Sequence, residues 1–262
     1  MTQEVNEMSE NKSRTGISSI TPGEIRIRGY NIVELMGRKS FAEVAYLVLK
    51  GQLPTDAEGK MMDAILTSSV DHGVTPPSSL AARTVISGGN PLNAAVAGGI
   101  LTIGDTHGGA IEQCARLLQN YAPKIGEPSE VAAELLADLK TQKMRMPGFG
   151  HRLHKTDPRT VRLFGMADEL MFSGNHQTLA KAIETMFKEQ GKSLPINVDG
   201  AIAAVISDMD FDWRLGKGFF IISRTVGLIA HANEELAREK PMRELGISDY
   251  IYDGPPPQKL ED

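Results

Sequence analysis

The sequence predicts an all-α protein, and its patterning carries that expectation. Apolar residues recur at three- and four-residue spacing through most of the chain, as one buried helix face requires. Strand-like alternation is confined to residues 20–30, where Ile25 and Ile27 alternate with Arg26 and Arg28 after a Thr21-Pro22-Gly23 turn. Pro and Gly set off the periodic segments at ordinary helix lengths. With 262 residues, the chain has room for one large domain or two modest ones.

In order, residues 1–15 are polar, rich in Glu, Asn and Ser, and read as a mobile tail without the apolar core of a secretion signal. Asn31 is placed to cap a short helix over 32–36. Ser40 followed by Glu43 forms a capping-box pattern for a second helix, with Phe41, Val44, Ala45, Val48 and Leu49 at helical spacing and Gly51 at its end. Thr55 or Asp56 starts a helix carrying Met61, Met62, Ile65 and Leu66. Residues 78–104 are rich in Ala, Gly and Ser, which lets helices approach closely. Further helices are expected through Ile111, Ala115, Leu117 and Leu118, over 127–143, and from Pro158 with Val161, Leu163, Phe164 and Ala167 inward. Others cover 177–190, carrying Leu179, Ile183, Met186 and Phe187, and the segment after Asn197, carrying Ile202, Val205 and Ile206. The last, over 216–238, is apolar nearly all round apart from Arg224, as a buried helix would be.

The bulk numbers narrow the function. Hydrophobic content of 41% and charged content of 23% are ordinary for a globular protein. A formal net charge of −5 argues against nucleic acid as a partner. The most apolar stretch, 217–230, is too short and too polar to span a bilayer, so no membrane role is expected. The single cysteine, Cys114, excludes an intrachain disulfide and a cysteine zinc cluster; it fits a reducing, cytoplasmic setting and reads as a core residue.

The candidate chemistry lies in the breaks between helices. Of six histidines, His72, His107 and His151 sit in Gly- or Pro-containing breaks, and Asp199 sits in a fourth. Helix ends there offer free N–H groups and partial positive charge to an anionic ligand. Residues 147–159 gather Gly148, Gly150, His151, Arg152, His154, Lys155 and Arg159. This composition suits close backbone approach to an anion that needs a proton moved. No HExxH or Cys/His spacing supports a metal site, and none is expected. Arg224, inside the most apolar helix, requires a carboxylate partner, either internal or on a substrate.

These blocks resemble the citrate synthase superfamily: Asp71-His72-Gly73, Thr106-His107-Gly108-Gly109-Ala110, Gly148-Phe149-Gly150-His151-Arg152 with Asp157-Pro158-Arg159, Asn197-Val198-Asp199, and Ser223-Arg224-Thr225-Val226-Gly227. The likeness covers nearly all of residues 16–250. It implies a homodimer of helical subunits, with a large domain (16–107 and 206–262), a small domain (108–205) and the site in the cleft between them. In that family pattern Asp199 is the base for the acetyl-CoA methyl group, His107 stabilises the enol oxygen, and His151 hydrogen-bonds the oxaloacetate carbonyl. His72, Arg159 and Arg224 hold substrate carboxylates. Lys240 takes the place of an arginine usually contributed by the partner subunit, with Arg243 close by. Met146, Pro147, Gly148, Phe149 and Gly150 lie against the CoA adenine. The CoA thioester is a substrate, and no permanently bound cofactor is implied.

The chain lacks most of the helices that ordinary citrate synthases carry between Pro54 and Asp71. That compact form resembles citryl-CoA lyases and the citryl-CoA lyase module of ATP citrate lyase, although His107 stands where that module lacks a histidine. The expected function is cleavage of citryl-CoA to acetyl-CoA and oxaloacetate. The alternatives are a synthase condensing acyl-CoA with oxaloacetate, and a non-catalytic CoA- or citrate-binding regulator.

Overall fold

In the computed structural model the described residues are 13–150, 156–243, 253–256 and 258–259. Three strands, β1 (Ser18–Thr21), β2 (Glu24–Ile27) and β3 (Tyr30–Asn31), pair antiparallel in the order β1-β2-β3, with Ser18 opposite Ile27 and Arg26 opposite Asn31. The extended segment expected at 20–30 is thus a small meander. The remaining elements are helical: α1 (Ile32–Leu35), α2 (Phe41–Lys50), α3 (Asp56–Ser68), α4 (Pro77–Ser87), α5 (Leu92–Leu101), α6 (Ala110–Tyr121), α7 (Pro128–Thr141), α8 (Pro158–Glu169), α9 (Asn175–Glu189), α10 (Val198–Asp208) and α11 (Gly216–Arg238). The fold is that of a mostly helical protein, as the periodicity predicts.

Local chemistry accounts for the boundaries. Asn31 accepts the Val33 N–H, and Ser40 with Glu43 closes the capping box at α2. Thr55 with Glu58 closes a second box at α3. A cap of this kind contributes about 1 kcal/mol. Glu58 also accepts a 2.5 Å hydrogen bond from the Tyr46 hydroxyl, tying α3 to α2. The buried face of α2 departs from the expected one: Ala42, Tyr46 and Leu47 are buried while Phe41 is exposed. Val161 of α8 is likewise exposed, and Leu163, Phe164 and Ala167 form the buried face.

The chain divides into two compact units, one of Met1–Asp71 and Ile103–Val226, the other of His72–Thr102 and Gly227–Asp262. The first is built around α10, where Val198 and every residue from Gly200 to Ser207 are buried. Helices α6, α8 and α9 pack on it. Tyr46, Phe211 and Phe219 continue this core through edge-to-face contacts, with ring centroids 5.3 and 5.1 Å apart.

In the second unit α4 packs on α5, and buried Arg83 is paired with Glu234 at 3.1 Å and Glu235 at 2.7 Å. Helix α11 departs from its all-round apolar reading: Val226, Ile229 and Leu236 form an exposed stripe.

One cap was not visible in the sequence. Asp208, at the end of α10, accepts the N–H groups of Gly174, His176 and Gln177 at 3.0–3.1 Å, and its Oδ1 lies 2.7 Å from His176 Nδ1. Burial alone raises a carboxyl's proton affinity. Here His176 and the three N–H groups overturn that effect and hold Asp208 below the usual range. A depressed folded-state pKa gives stability that is present above the unfolded value and lost as pH falls through the folded one. Asp208→Ala is therefore expected to cost about 2–4 kcal/mol at pH 7. Urea unfolding of both proteins at pH 7 and pH 3 should show that gap narrowing in acid.

Candidate active site

Helix α10 starts at Val198 because Asn197 caps it: its Oδ1 accepts the N–H groups of Asp199 at 3.0 Å and Gly200 at 3.2 Å. The Asn197 Nδ2 donates to the Gly150 carbonyl at 2.8 Å, and the backbone adds Asn197 N to Gly148 O at 3.1 Å and Gly150 N to Pro195 O at 2.7 Å. The segment carrying Met146 to Gly150 is thereby laced to the start of α10. Its closeness requires glycine on both sides. Gly148 has φ +80°, and a Cβ there would lie 2.7 Å from the Gly200 Cα; one on Gly200 would run into the Gly148 carbonyl. Phe149 anchors the other flank, its ring 5.8 Å from that of Phe187.

This arrangement places Asp199 in the first turn of α10 with a desolvated carboxyl. Burial pushes its pKa up to about 6 against the pull of Arg159 and Arg224, with Asp157 adding to the rise. Fully buried Cys114 lies below the same backbone, and its thiol is pushed up, first by burial and then by the charge of Asp199. Cys114 is core, as expected.

Phe220 of α11 organises two further predicted residues. Its ring stands edge-on to His107 with centroids 5.7 Å apart, and carries the Arg224 guanidinium 4.7 Å above its centre. Gly108, at φ +78°, makes room for that ring. Burial and then Arg224 lower the His107 pKa, so the imidazole is neutral near pH 7. Arg224 is 3% exposed; its Nε donates to the Ser69 carbonyl at 3.1 Å, and its Nη1 has no hydrogen-bond partner among the described residues. Burial lowers its pKa while Asp71 and Asp199 support its charge. An unsatisfied buried guanidinium nitrogen is costly, and an anionic ligand removes that cost.

Arg159 opens α8 and is held by Asp157, with Nε to Oδ1 at 3.0 Å and Nη2 to Oδ2 at 2.9 Å. It also lines a cavity of about 450 Å³ between α3 and α8, with Lys60, Arg162 and Leu163. Burial works to raise the Asp157 carboxyl, and the hydrogen bonds from Arg159 and Val198 hold it below the usual range.

Of the predicted residues, then, His107, Asp199, Arg159, Arg224 and the segment from Met146 to Gly150 fall in the first unit. His72 and exposed Lys240 belong to the second, and His151 lies outside the described residues. Arg243, Lys240's rival, is occupied within the second unit by Glu235, with contacts of 2.6 and 3.0 Å. Among the described residues no cluster of His, Cys, Asp or Glu is placed to hold a metal ion. The sequence reading missed the roles of Phe220, Ser69 and Asp157. Only Asp157 carried a signal, as an Asp-Pro pair where a helix begins.

Comparison with known proteins follows the same lines. The family model described as citrate synthase, C-terminal domain, matches residues 9–61 and 55–245. The structure of citryl-CoA lyase from Hydrogenobacter thermophilus superposes with a TM-score of 0.88 at 47% identity, covering 95% of this chain and 97% of that one. A probable ATP-citrate synthase of Dictyostelium discoideum is 30% identical over 228 residues, which are 80% of this chain and 36% of that protein. A citrate synthase of Heyndrickxia coagulans is 31% identical over 194 residues, 72% of this chain and 50% of that protein. The chain thus spans little more than a third of the length of the ATP-citrate synthases it matches. Matched along nearly its whole length, the chain belongs to the citrate synthase family.

Proposed function

We propose that the protein cleaves citryl-CoA, or a similar 3-hydroxy acyl-CoA, to acetyl-CoA and oxaloacetate. The observation that carries the reading is Asp199, a carboxyl with raised proton affinity, in one unit with neutral His107 and the unsatisfied Arg224. The likeness to a citryl-CoA lyase at 47% identity, covering 95% of this chain and 97% of that one, supports it.

In this reading Arg224 Nη1 and the free edge of Arg159 hold carboxylates of the citryl group, with His72 and Lys240 completing the set. His151 accepts the proton of the tertiary hydroxyl as that oxygen becomes the oxaloacetate carbonyl. The C–C bond to the thioester α-carbon breaks, and its electron pair passes into the acetyl-CoA enolate. The N–H of His107 stabilises that oxygen, and protonated Asp199 returns a proton to the carbon. The segment from Met146 to Gly150 takes the CoA adenine, and CoA leaves as part of the product. Run in reverse, the same groups condense acetyl-CoA with oxaloacetate. Retention of His107 favours that synthase reading as the alternative.

The reading also divides the chain into a large part (16–107 and 206–262) and a small part (108–205) and places the enzyme in the cytosol. Among the described residues no helix is long and apolar enough to cross a membrane. The exposed stripe of Val226, Ile229 and Leu236 on α11 supports a homodimer.

Incubation with citryl-CoA should release oxaloacetate, read by coupled NADH oxidation with malate dehydrogenase. Acetyl-CoA plus oxaloacetate should release no free thiol, and thiol release would instead establish the synthase. Silence in both assays would refute both.

Cleavage needs Asp199 protonated in the free enzyme, so kcat/KM should fall as pH rises through about 6. Asp199→Asn should abolish turnover. The same substitution bears on stability. A carboxyl whose folded pKa is raised costs stability increasingly from its unfolded value near 3.9 up to about 6. Asp199→Asn should therefore stabilise the protein by about 1–3 kcal/mol at pH 8 and hardly at all at pH 4, measured by denaturant unfolding. Ile229→Glu should convert a dimer to monomer in light scattering. A wild-type monomer at micromolar concentration would remove the dimer from the reading.

A further inference from the structure

We propose that Asp157 is a positioning residue: it joins the carboxylate anchor Arg159 to the base Asp199 and offsets part of the pull that Arg159 exerts on that base. The proposal rests on the roles given above to Arg159 and Asp199.

Asp157 is fully buried, and each of its oxygens is engaged twice. Oδ1 accepts the backbone N–H and the Nε–H of Arg159, both at 3.0 Å. Oδ2 accepts the Nη2–H of Arg159 at 2.9 Å and the N–H of Val198 at 3.1 Å. Val198 directly precedes Asp199. One carboxylate therefore ends the path from the anchor's guanidinium and begins the path to the base. Thr160 runs parallel to it, its hydroxyl donating to the Ile196 carbonyl at 3.1 Å.

A neutral cap would satisfy the first turn of α8 equally well, since Asn and Ser are as good as Asp at that position. Burying a carboxylate instead is costly unless its charge has work to do. The surroundings of Asp199 show that work. The charged or titratable described groups that act on it are Arg159 and Asp157 at the start of α8, Arg224 of α11 and Cys114 of α6. Two unopposed guanidinium groups would leave Asp199 ionised and weakly basic. Asp157 opposes them in part, adding to the rise that burial gives the base.

The test reads Asp199 directly, by 13C NMR titration of carboxyl-labelled aspartate, with the resonance assigned by its loss in Asp199→Asn. In wild type it should titrate near 6. In Asp157→Asn the midpoint should fall by about one pH unit or more, because a negative neighbour is lost and a positive one freed. The pH profile for citryl-CoA cleavage should move by the same interval, with kcat reduced. Asp157→Glu keeps the charge on a longer side chain, so it should lower kcat while leaving the midpoint in place. A folded Asp157→Asn protein with an unmoved Asp199 midpoint would overturn the proposal, however much activity it lost. If circular dichroism shows that Asp157→Asn does not fold, Arg159→Gln serves instead. The midpoint should then rise, and an unmoved value overturns the proposal. The NMR readout needs no substrate. Absence of wild-type cleavage would count against the proposed function, and an unmoved midpoint against Asp157.

Discussion

The contact between Gly148 and Gly200 is the constraint on which the candidate site depends. Two backbones meet there with no room for a Cβ on either side. The Gly148 carbonyl therefore reaches the Asn197 N–H, and the Asn197 side chain is left to cap α10 and hold Gly150. Asp199 gains its environment from that closeness. Desolvation is the largest influence on the proton affinity of its carboxyl. A looser junction would admit solvent and return Asp199 to the behaviour of an ordinary weak base.

Desolvation suppresses the charged form of Asp199. The two arginines oppose it from different elements, and they are unequal. Arg159 is matched by Asp157 in a two-point pair, whereas Arg224 keeps one nitrogen without a hydrogen-bond partner among the described residues. An anion approaching this unit finds the greater gain at Arg224, because there it satisfies a buried donor. Neutralising Arg224 also removes a pull on Asp199, so filling the anchor strengthens the neighbouring carboxyl's hold on its proton. In the proposed function, anion binding and proton transfer are thus coupled through charge.

Much of this was legible in the sequence, and the exceptions share a cause. Caps at Asn31, Ser40 and Thr55 were readable because their partners lie within three residues. The helices of the first unit followed from periodicity, as did the buried Cys114. His107, Asp199 and Arg224 stood out because glycine-flanked breaks and an arginine in an apolar helix are chemically unusual, while Arg159 was marked only by the family resemblance. What escaped were roles set across long sequence separations: Asp208 capping α9, Phe220 beneath His107 and Arg224, and Asp157 reaching Val198. A phenylalanine in an apolar helix looks like core from sequence, and only the fold shows which groups its face and edge serve. Phe41 and Val161 misled for the related reason that spacing fixes a helix stripe without fixing which part of it meets the core.

Helix α11 shows how such ambiguity arises in one element. Its apolar residues surround the helix, a pattern normally produced by burial on every side. Here the pattern comes from separate faces with separate demands. Phe219 and Phe220 are buried, with Phe219 in the aromatic core and Phe220 beneath the candidate site. Leu228 and Ala232 are buried in the second unit's stretch of the helix, while Val226, Ile229 and Leu236 face outward. Arg224 stands one turn after Phe220 and two residues before the start of the exposed stripe.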